Sequence, residues 1–178
     1  MTEFLLELEL AVLNFINNLQ NPISDSIMVF ITHLGDKGLL WIALGLTLCF
    51  IPKHKRAGEC LFLALLINFV ICNLSLKPLI ARLRPYEYVG GIKLLISEPG
   101  DFSFPSGHSS SSFASAVSVW LYNKKLGTLC LIVAYLIAFS RLYIYVHFPS
   151  DVISGIIIGI FSALISEKII SKSNLFSS

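Results

Sequence analysis

Apolar residues run along this chain in long blocks cut by short polar hinges, and that alternation predicts a set of membrane-crossing helices. The first block, residues 3–19, has helical periodicity: Leu5, Leu6, Leu8, Ala11, Val12, Phe15 and Ile16 are apolar, while Glu3, Glu7 and Glu9 are not. A crossing helix needs about 20 mostly apolar residues. The three acids therefore favour an amphipathic helix lying in the interface. Asn21-Pro22 ends it, and a second short helix is predicted over residues 26–34, stopping at Gly35-Asp36. Five crossing segments follow, at residues 38–51, 57–76, 109–122, 126–146 and 152–165. The first of these is short and ends at Pro52. The predicted fold class is all-α: a polytopic transmembrane helix bundle of five spans, or six if the N-terminal amphipathic helix crosses instead of lying interfacial.

Composition narrows this further. Of 178 residues, 55% are hydrophobic and 13% charged, with mean hydropathy +0.78; soluble domains average about 25% charged residues. One integral membrane domain is expected over residues 1–178. A net charge of +2 gives no reason to expect a nucleic-acid partner. Cys49, Cys60, Cys72 and Cys130 lie in apolar stretches without metal-type spacing and read as packing residues. The first basic residue is Lys37, so no charged n-region of a cleavable signal peptide is expected. The serines and alanines of residues 109–118, with Gly155 and Gly159, read as close helix–helix contacts, since small residues mark interfaces in lipid.

Charge placement orients the bundle. The hinges at 52–56 and 123–125 and the tail share one face and carry seven Lys or Arg, against six on the other face. Three of those six, Lys77, Arg84 and Arg141, are the candidate anion-binding cations of the polar clusters described next. Without them the positive-inside rule puts the hinges in the cytoplasm and the clusters outside.

Three polar clusters break the apolar pattern: Lys77-Pro78-Leu79-Ile80-Ala81-Arg82-Leu83-Arg84-Pro85, then Pro105-Ser106-Gly107-His108, then Ser140-Arg141 with His147 and Asp151. Lys77 and Arg84 are two helical turns apart and share a face if the helix persists, with a kink expected at Pro78. Taken singly, each cation reads as a snorkelling anchor. Three beside two histidines read as a cradle for an anion, because ionisable groups near membrane segments are costly and a guanidinium fork matches phosphate oxygens. Ser106-Gly107 opens a helix, where backbone N–H groups and a missing Cβ favour an anion, although an ordinary N-cap has the same look. Asp151 lies four residues after His147, placed to orient an imidazole whose other nitrogen is free for attack; a helix-end charge is the plainer reading.

The pattern K-x6-R-P, P-S-G-H, S-R-x5-H-x3-D resembles the signature of the type-2 phosphatidic acid phosphatase superfamily over residues 77–151, in order, spacing and membrane context. The resemblance implies that Lys77, Arg84 and Arg141 clamp phosphoryl oxygens and that Ser106 and Gly107 complete the cradle. It implies that His147 attacks phosphorus to form a phosphohistidine, that Asp151 orients His147, and that His108 protonates the leaving oxygen and then activates water. Tyr145 departs from the family, where Gly is frequent, and is expected to narrow the pocket. No metal-ligand cluster is seen, so no metal or other cofactor is expected. The expected substrate is a membrane lipid phosphate: undecaprenyl diphosphate first, with phosphatidylglycerophosphate, phosphatidic acid or a lipid A phosphate as alternatives. Two rivals are a non-hydrolytic anion or phospholipid transporter, which leaves His108, His147 and Asp151 without a role, and a vanadate haloperoxidase, which this hydropathy disfavours. The pattern does not predict an oligomeric state.

Overall fold

A computed structural model describes residues 3–173. Among these residues the chain is helical with no strand: α1 (Glu3–Asn17), α2 (Pro22–Leu34), α3 (Leu39–Phe50), α4 (Lys55–Asn68), α5 (Lys77–Ile80), α6 (Pro85–Val89), α7 (Gly107–Tyr122), α8 (Lys124–Tyr143) and α9 (Pro149–Ser173). The all-α class matches expectation. Among the described residues three stretches are long and apolar enough to cross a bilayer, Pro52–Val89, Lys124–Tyr143 and Pro149–Lys172. The pair Pro22–Leu34 and Asp36–Phe50, bent by 43°, makes a fourth if the two helices form one broken span. The predicted span at 109–122 is different in kind. It is α7, only 16 residues long, and it packs at the bundle centre against α4, α8 and α9.

Element boundaries differ from expectation where caps and turns act. Helix α2 begins at Pro22, not residue 26, because Asn21 caps it: its Oδ1 accepts the N–H groups of Ile23 and Ser24, both at 3.1 Å. Pro22 at the first helical position costs no hydrogen bond. Lys37 and Gly38, at φ 52° and 68°, make the left-handed break between α2 and α3. After α4 the chain continues through a π-helical stretch, Phe69–Leu76, before α5. There the N–H of Lys77 reaches back five residues to the Cys72 carbonyl. That looser ladder precedes Pro78, which has no N–H to give. Ala81 then turns to φ 46° and ends the helix. Lys77 and Arg84 therefore do not share a helical face, contrary to the spacing argument. Helix α8 stops at Tyr143 rather than residue 146, and α9 starts at Pro149 and outlasts the predicted end at 165. Between them Tyr145 sits at φ 61°.

Helix α1 is 15 residues long and is not among the stretches apolar and long enough to cross. One detail was not expected: Glu9 is buried, with Oε2 2.6 Å from Arg82 Nη2 and Oε1 accepting the Ser150 N–H at 2.8 Å. Leu13 is buried beside it, while Phe4, Leu5, Leu8 and Phe15 are exposed. The helix turns a carboxylate inward and apolar side chains outward, which suits lipid contact.

The serines of α7 behave as packing residues. Ser109, Ser110, Ser112, Ser115 and Ser118 are fully buried. Ser115 and Ser118 donate to carbonyls of their own helix, at 2.9 and 2.8 Å, so the helix presents a thin, satisfied surface. Trp41 Nε1 donates to Ser112 Oγ at 3.0 Å, tying α3 to α7. Cys60, Cys72 and Cys130 are buried and all four cysteines are free thiols. Helix α9 lies directly on the α7 backbone. A Cβ at Gly155 would sit 2.6 Å from the Ser106 carbonyl oxygen, and one at Gly159 would sit 2.4 Å from that of Ser110. Because these neighbours are backbone, they cannot swing aside. Gly159→Val should cost about 1–3 kcal/mol or more by overpacking, read as a lower thermal midpoint in detergent. An unchanged midpoint would contradict this contact.

Candidate active site

The third cluster forms the back of the site. Its turn between α8 and α9 buries His147, whose Nε2 lies 3.3 Å from Arg84 Nη1. Its Nδ1 faces Asp151 Oδ2 at 3.6 Å and Ser103 Oγ at 3.4 Å. At 3.6 Å the pair is too far apart for a hydrogen bond. Ser103 bridges it, donating to Asp151 Oδ2 at 2.5 Å. A proton on Nδ1 therefore faces the carboxylate side and Nε2 keeps its lone pair toward the cavity. In this turn, outside the spanning helices, burial and then the charges of Arg84, Arg141 and Lys77 hold the His147 pKa well below the usual histidine range. The neutral, nucleophilic form is thereby favoured at ordinary pH.

Asp151 is completely buried and fully engaged. Besides Ser103 it takes the Phe148 N–H at 2.8 Å and Arg82 Nη1 at 2.5 Å. Its backbone carbonyl accepts the Ser106 N–H at 3.0 Å. Arg82 also lies over the Phe148 ring, with its guanidinium carbon 3.9 Å from the centroid.

The cations converge by a route that the spacing did not predict. Lys77 Nζ and Arg84 Nη2 both donate to the Asp101 carboxylate, the latter at 2.6 Å. Arg84 also donates through Nε to the Asp101 carbonyl at 2.9 Å and through Nη1 to the Val146 carbonyl at 2.8 Å. Asp101 lies in the loop before α7. Burial raises its pKa, but the hydrogen bond and charge of Lys77 and the charge of Arg84 outweigh that and hold it below the usual carboxylate value. Arg141 enters from the far side of the cavity, donating through Nη1 to Thr32 Oγ1 at 2.6 Å. Among the described residues, its Nε is the one buried side-chain polar atom with no hydrogen-bond partner.

Residues of the second cluster separate by role. Gly107 is the first residue of α7 and, with His108, lines the cavity. Ser106 lies behind it: fully buried, its Oγ caps α7 by accepting from the Ser109 N–H at 3.4 Å and the Ser109 hydroxyl at 2.9 Å. The expectation of a cradle hydroxyl at Ser106 thus meets a helix cap. Tyr145 does not narrow the cavity either. Its ring packs with Leu13 and Phe148, and its hydroxyl donates to Asn14 Oδ1 at 2.8 Å.

One cavity of about 570 Å³ joins Lys77, Arg84, Gly107, His108, Arg141 and His147. Its lining also includes the apolar Ile42, Leu65, Leu66 and Phe69, with Asn68 and Asn73 from the same stretch, and Leu66 and Phe69 are exposed. Among the described residues, no three His, Cys, Asp or Glu side chains form a group that could hold a metal ion. Asp101, Ser103, Thr32 and Asp36 carried no sequence signal for the site. Arg82 lay inside the first cluster, but the spacing singled out Arg84 and gave Arg82 no role.

Comparison with known proteins identifies the family. Residues 58–175 match the family model described as the PAP2 superfamily. The chain is 33% identical over 155 residues to an undecaprenyl-diphosphatase of Sulfolobus acidocaldarius, covering 86% of this chain and 74% of that protein. It is 31% identical over 173 residues to a lipid A 4'-phosphatase of Bacteroides thetaiotaomicron, covering 89% of this chain and 75% of that protein. The crystal structure of a transmembrane PAP2-type phosphatidylglycerolphosphate phosphatase from Bacillus subtilis superposes with TM-score 0.79 at 25% identity, over 96% of this chain and 88% of that one. With its helical architecture, its convergent motifs and this match, the chain belongs to the PAP2 superfamily and is a multi-pass membrane phosphatase.

Proposed function

We propose that this protein hydrolyses the phosphate or diphosphate headgroup of a membrane lipid through a phosphohistidine at His147, with undecaprenyl diphosphate as the first-choice substrate. The observation that carries this reading is the mixed lining of one cavity. Basic groups and two imidazoles line it together with Ile42, Leu65, Leu66 and Phe69, of which Leu66 and Phe69 are exposed. Such a lining suits a ligand whose head is an anion and whose tail is apolar.

His147 Nε2 attacks phosphorus, and the bond from phosphorus to the leaving oxygen breaks. His108 gives its proton to that oxygen. It then takes a proton from water, whose oxygen attacks the phosphohistidine and breaks the phosphorus–nitrogen bond. Lys77, Arg84 and Arg141 hold the phosphoryl oxygens throughout. The spare Arg141 Nε donor suits that task, and the Asp101 oxygens mark where an anion sits between Lys77 and Arg84. Phosphoryl transfer needs positioning and charge stabilisation more than covalent help. Three protein cations supply that charge, so the reaction runs without a metal. Asp151 and Ser103 fix His147 from behind. The site opens on the extracytoplasmic side, as the charge asymmetry of the hinges favours. The undecaprenyl-diphosphatase relative favours the diphosphate substrate. Relatives acting on lipid A or phosphatidylglycerophosphate keep those headgroups as the second reading. A transporter would have no use for two oriented imidazoles.

Purified protein in detergent should release inorganic phosphate from a panel of lipid phosphates and diphosphates, fastest from undecaprenyl diphosphate. Binding without release would favour transport. His147→Ala should abolish turnover while the helical fold persists; wild-type-like turnover would overturn the nucleophile assignment. Asp151→Asn should slow turnover by up to about 10⁴-fold, the scale reached when an orienting carboxylate is neutralised. It should also lower the thermal midpoint, because Arg82 loses a buried partner. An unchanged rate would reduce Asp151 to a structural charge. EDTA should leave the rate unaffected; complete loss, restored by magnesium, would contradict the metal-free scheme.

A further inference from the structure

Two imidazoles share the cavity, and each has a carboxylate behind it. The pair on His147 comes from the same turn. The one on His108 comes from the junction of α2 and α3: Asp36 Oδ1 lies 3.0 Å from His108 Nε2. The other carboxylate oxygen is held as well, 2.7 Å from His33 Nδ1. The preceding residue shapes the same contact. A Cβ at Gly35 would fall 2.6 Å from His108 Cδ2 and 2.9 Å from Ile137 Cγ2, so the ring seats where only a glycine leaves room. Both residues precede the stretch 58–175 that matches the family model.

We propose that Asp36 is the positioning residue of His108, seating its ring through Nε2–H while Gly35 provides the space, so that Nδ1 is the nitrogen that exchanges protons with substrate. This rests on the acid–base role given to His108 above. A carboxylate on Nε2–H fixes the tautomer and stabilises the doubly protonated ring. The Nδ1 proton then passes to the leaving oxygen as its bond to phosphorus breaks, and the Nε2 proton stays with Asp36. The vacated Nδ1 afterwards takes a proton from the attacking water. A residue acting in this way matters most when the leaving oxygen needs a proton and little when it leaves unaided.

That dependence is the test. The full-length protein in detergent is assayed on a long-chain alkyl phosphate, a poor leaving group, and on an amphiphilic nitrophenyl phosphate of matching chain length, a good one. Asp36→Asn should reduce kcat on the alkyl substrate at least about tenfold more than on the aryl one, a part of the span of general acid catalysis. Asp36→Glu should recover part of the loss, and Asp36→Asn added to His108→Ala should cost nothing further. Equal losses on both substrates, additive with His108→Ala, would mean that Asp36 only supports the fold and would overturn the inference. Wild-type rates for Asp36→Asn beside a crippled His108→Ala would overturn it while leaving the phosphatase mechanism intact. Wild-type rates for His108→Ala on the alkyl substrate would overturn both.

Discussion

The buried carboxylate of Asp151 is the constraint on which the rest of this structure turns. It lies completely out of solvent, 2.5 Å from the Arg82 guanidinium, and it takes the Ser103 hydroxyl and the Phe148 N–H as well. Its carbonyl receives the Ser106 N–H. One residue thus ties together the segment after α5, the loop before α7 and the turn before α9. An isolated carboxylate in a low-dielectric interior is prohibitively costly, whereas one matched by a cation and by donors on each oxygen persists. Arg82 in turn reaches Glu9, so the same ion-pair chain fastens α1 to the turn that carries His147. The polar network is the device that brings distant parts of the sequence into register.

Outside that network the bundle uses little polar glue. Small residues on α7 and the glycines of α9 allow backbones to touch, and many Leu, Ile and Phe side chains are exposed. This is the arrangement favoured where lipid removes the hydrophobic drive for helices to associate. It also leaves room for the cavity. Of the cations that line it, Lys77 and Arg84 are joined by the Asp101 carboxylate and Arg141 is held by Thr32. The α2–α3 bend and the π-helical stretch after α4 both border that space, with Gly35, Gly38 and Phe69 in its lining. Irregular backbone occurs where it shapes a functional space rather than facing lipid.

Much of this was legible in the sequence, for physical reasons. Ionisable residues are so improbable in apolar blocks that Lys77, Arg84, His108, Arg141, His147 and Asp151 stood out, and all but Asp151 line the cavity. What escaped notice depends on three-dimensional partners. Asp101 and Ser103 lie in a loop whose composition resembles any turn, and Asp36 looked like helix punctuation. Glu9 read as the wet face of an amphipathic helix because its partner, Arg82, is seventy-three residues away. The shared face of Lys77 and Arg84 failed at Ala81, whose positive φ no helix propensity announces. Ser106 satisfied two readings at once, and its neighbour Ser109 decided for the cap.

The central claim is that three cations and two imidazoles address one tetrahedral phosphorus. A structure with orthovanadate bound in the cavity tests it most directly, because vanadate adopts the geometry of phosphoryl transfer and mimics the transition state. Vanadium is expected to bond to His147 Nε2, with Lys77, Arg84 and Arg141 on its oxygens and His108 Nδ1 beside the one opposite His147. Vanadate held by the cations with His147 turned away, or seated elsewhere in the bundle, would contradict it.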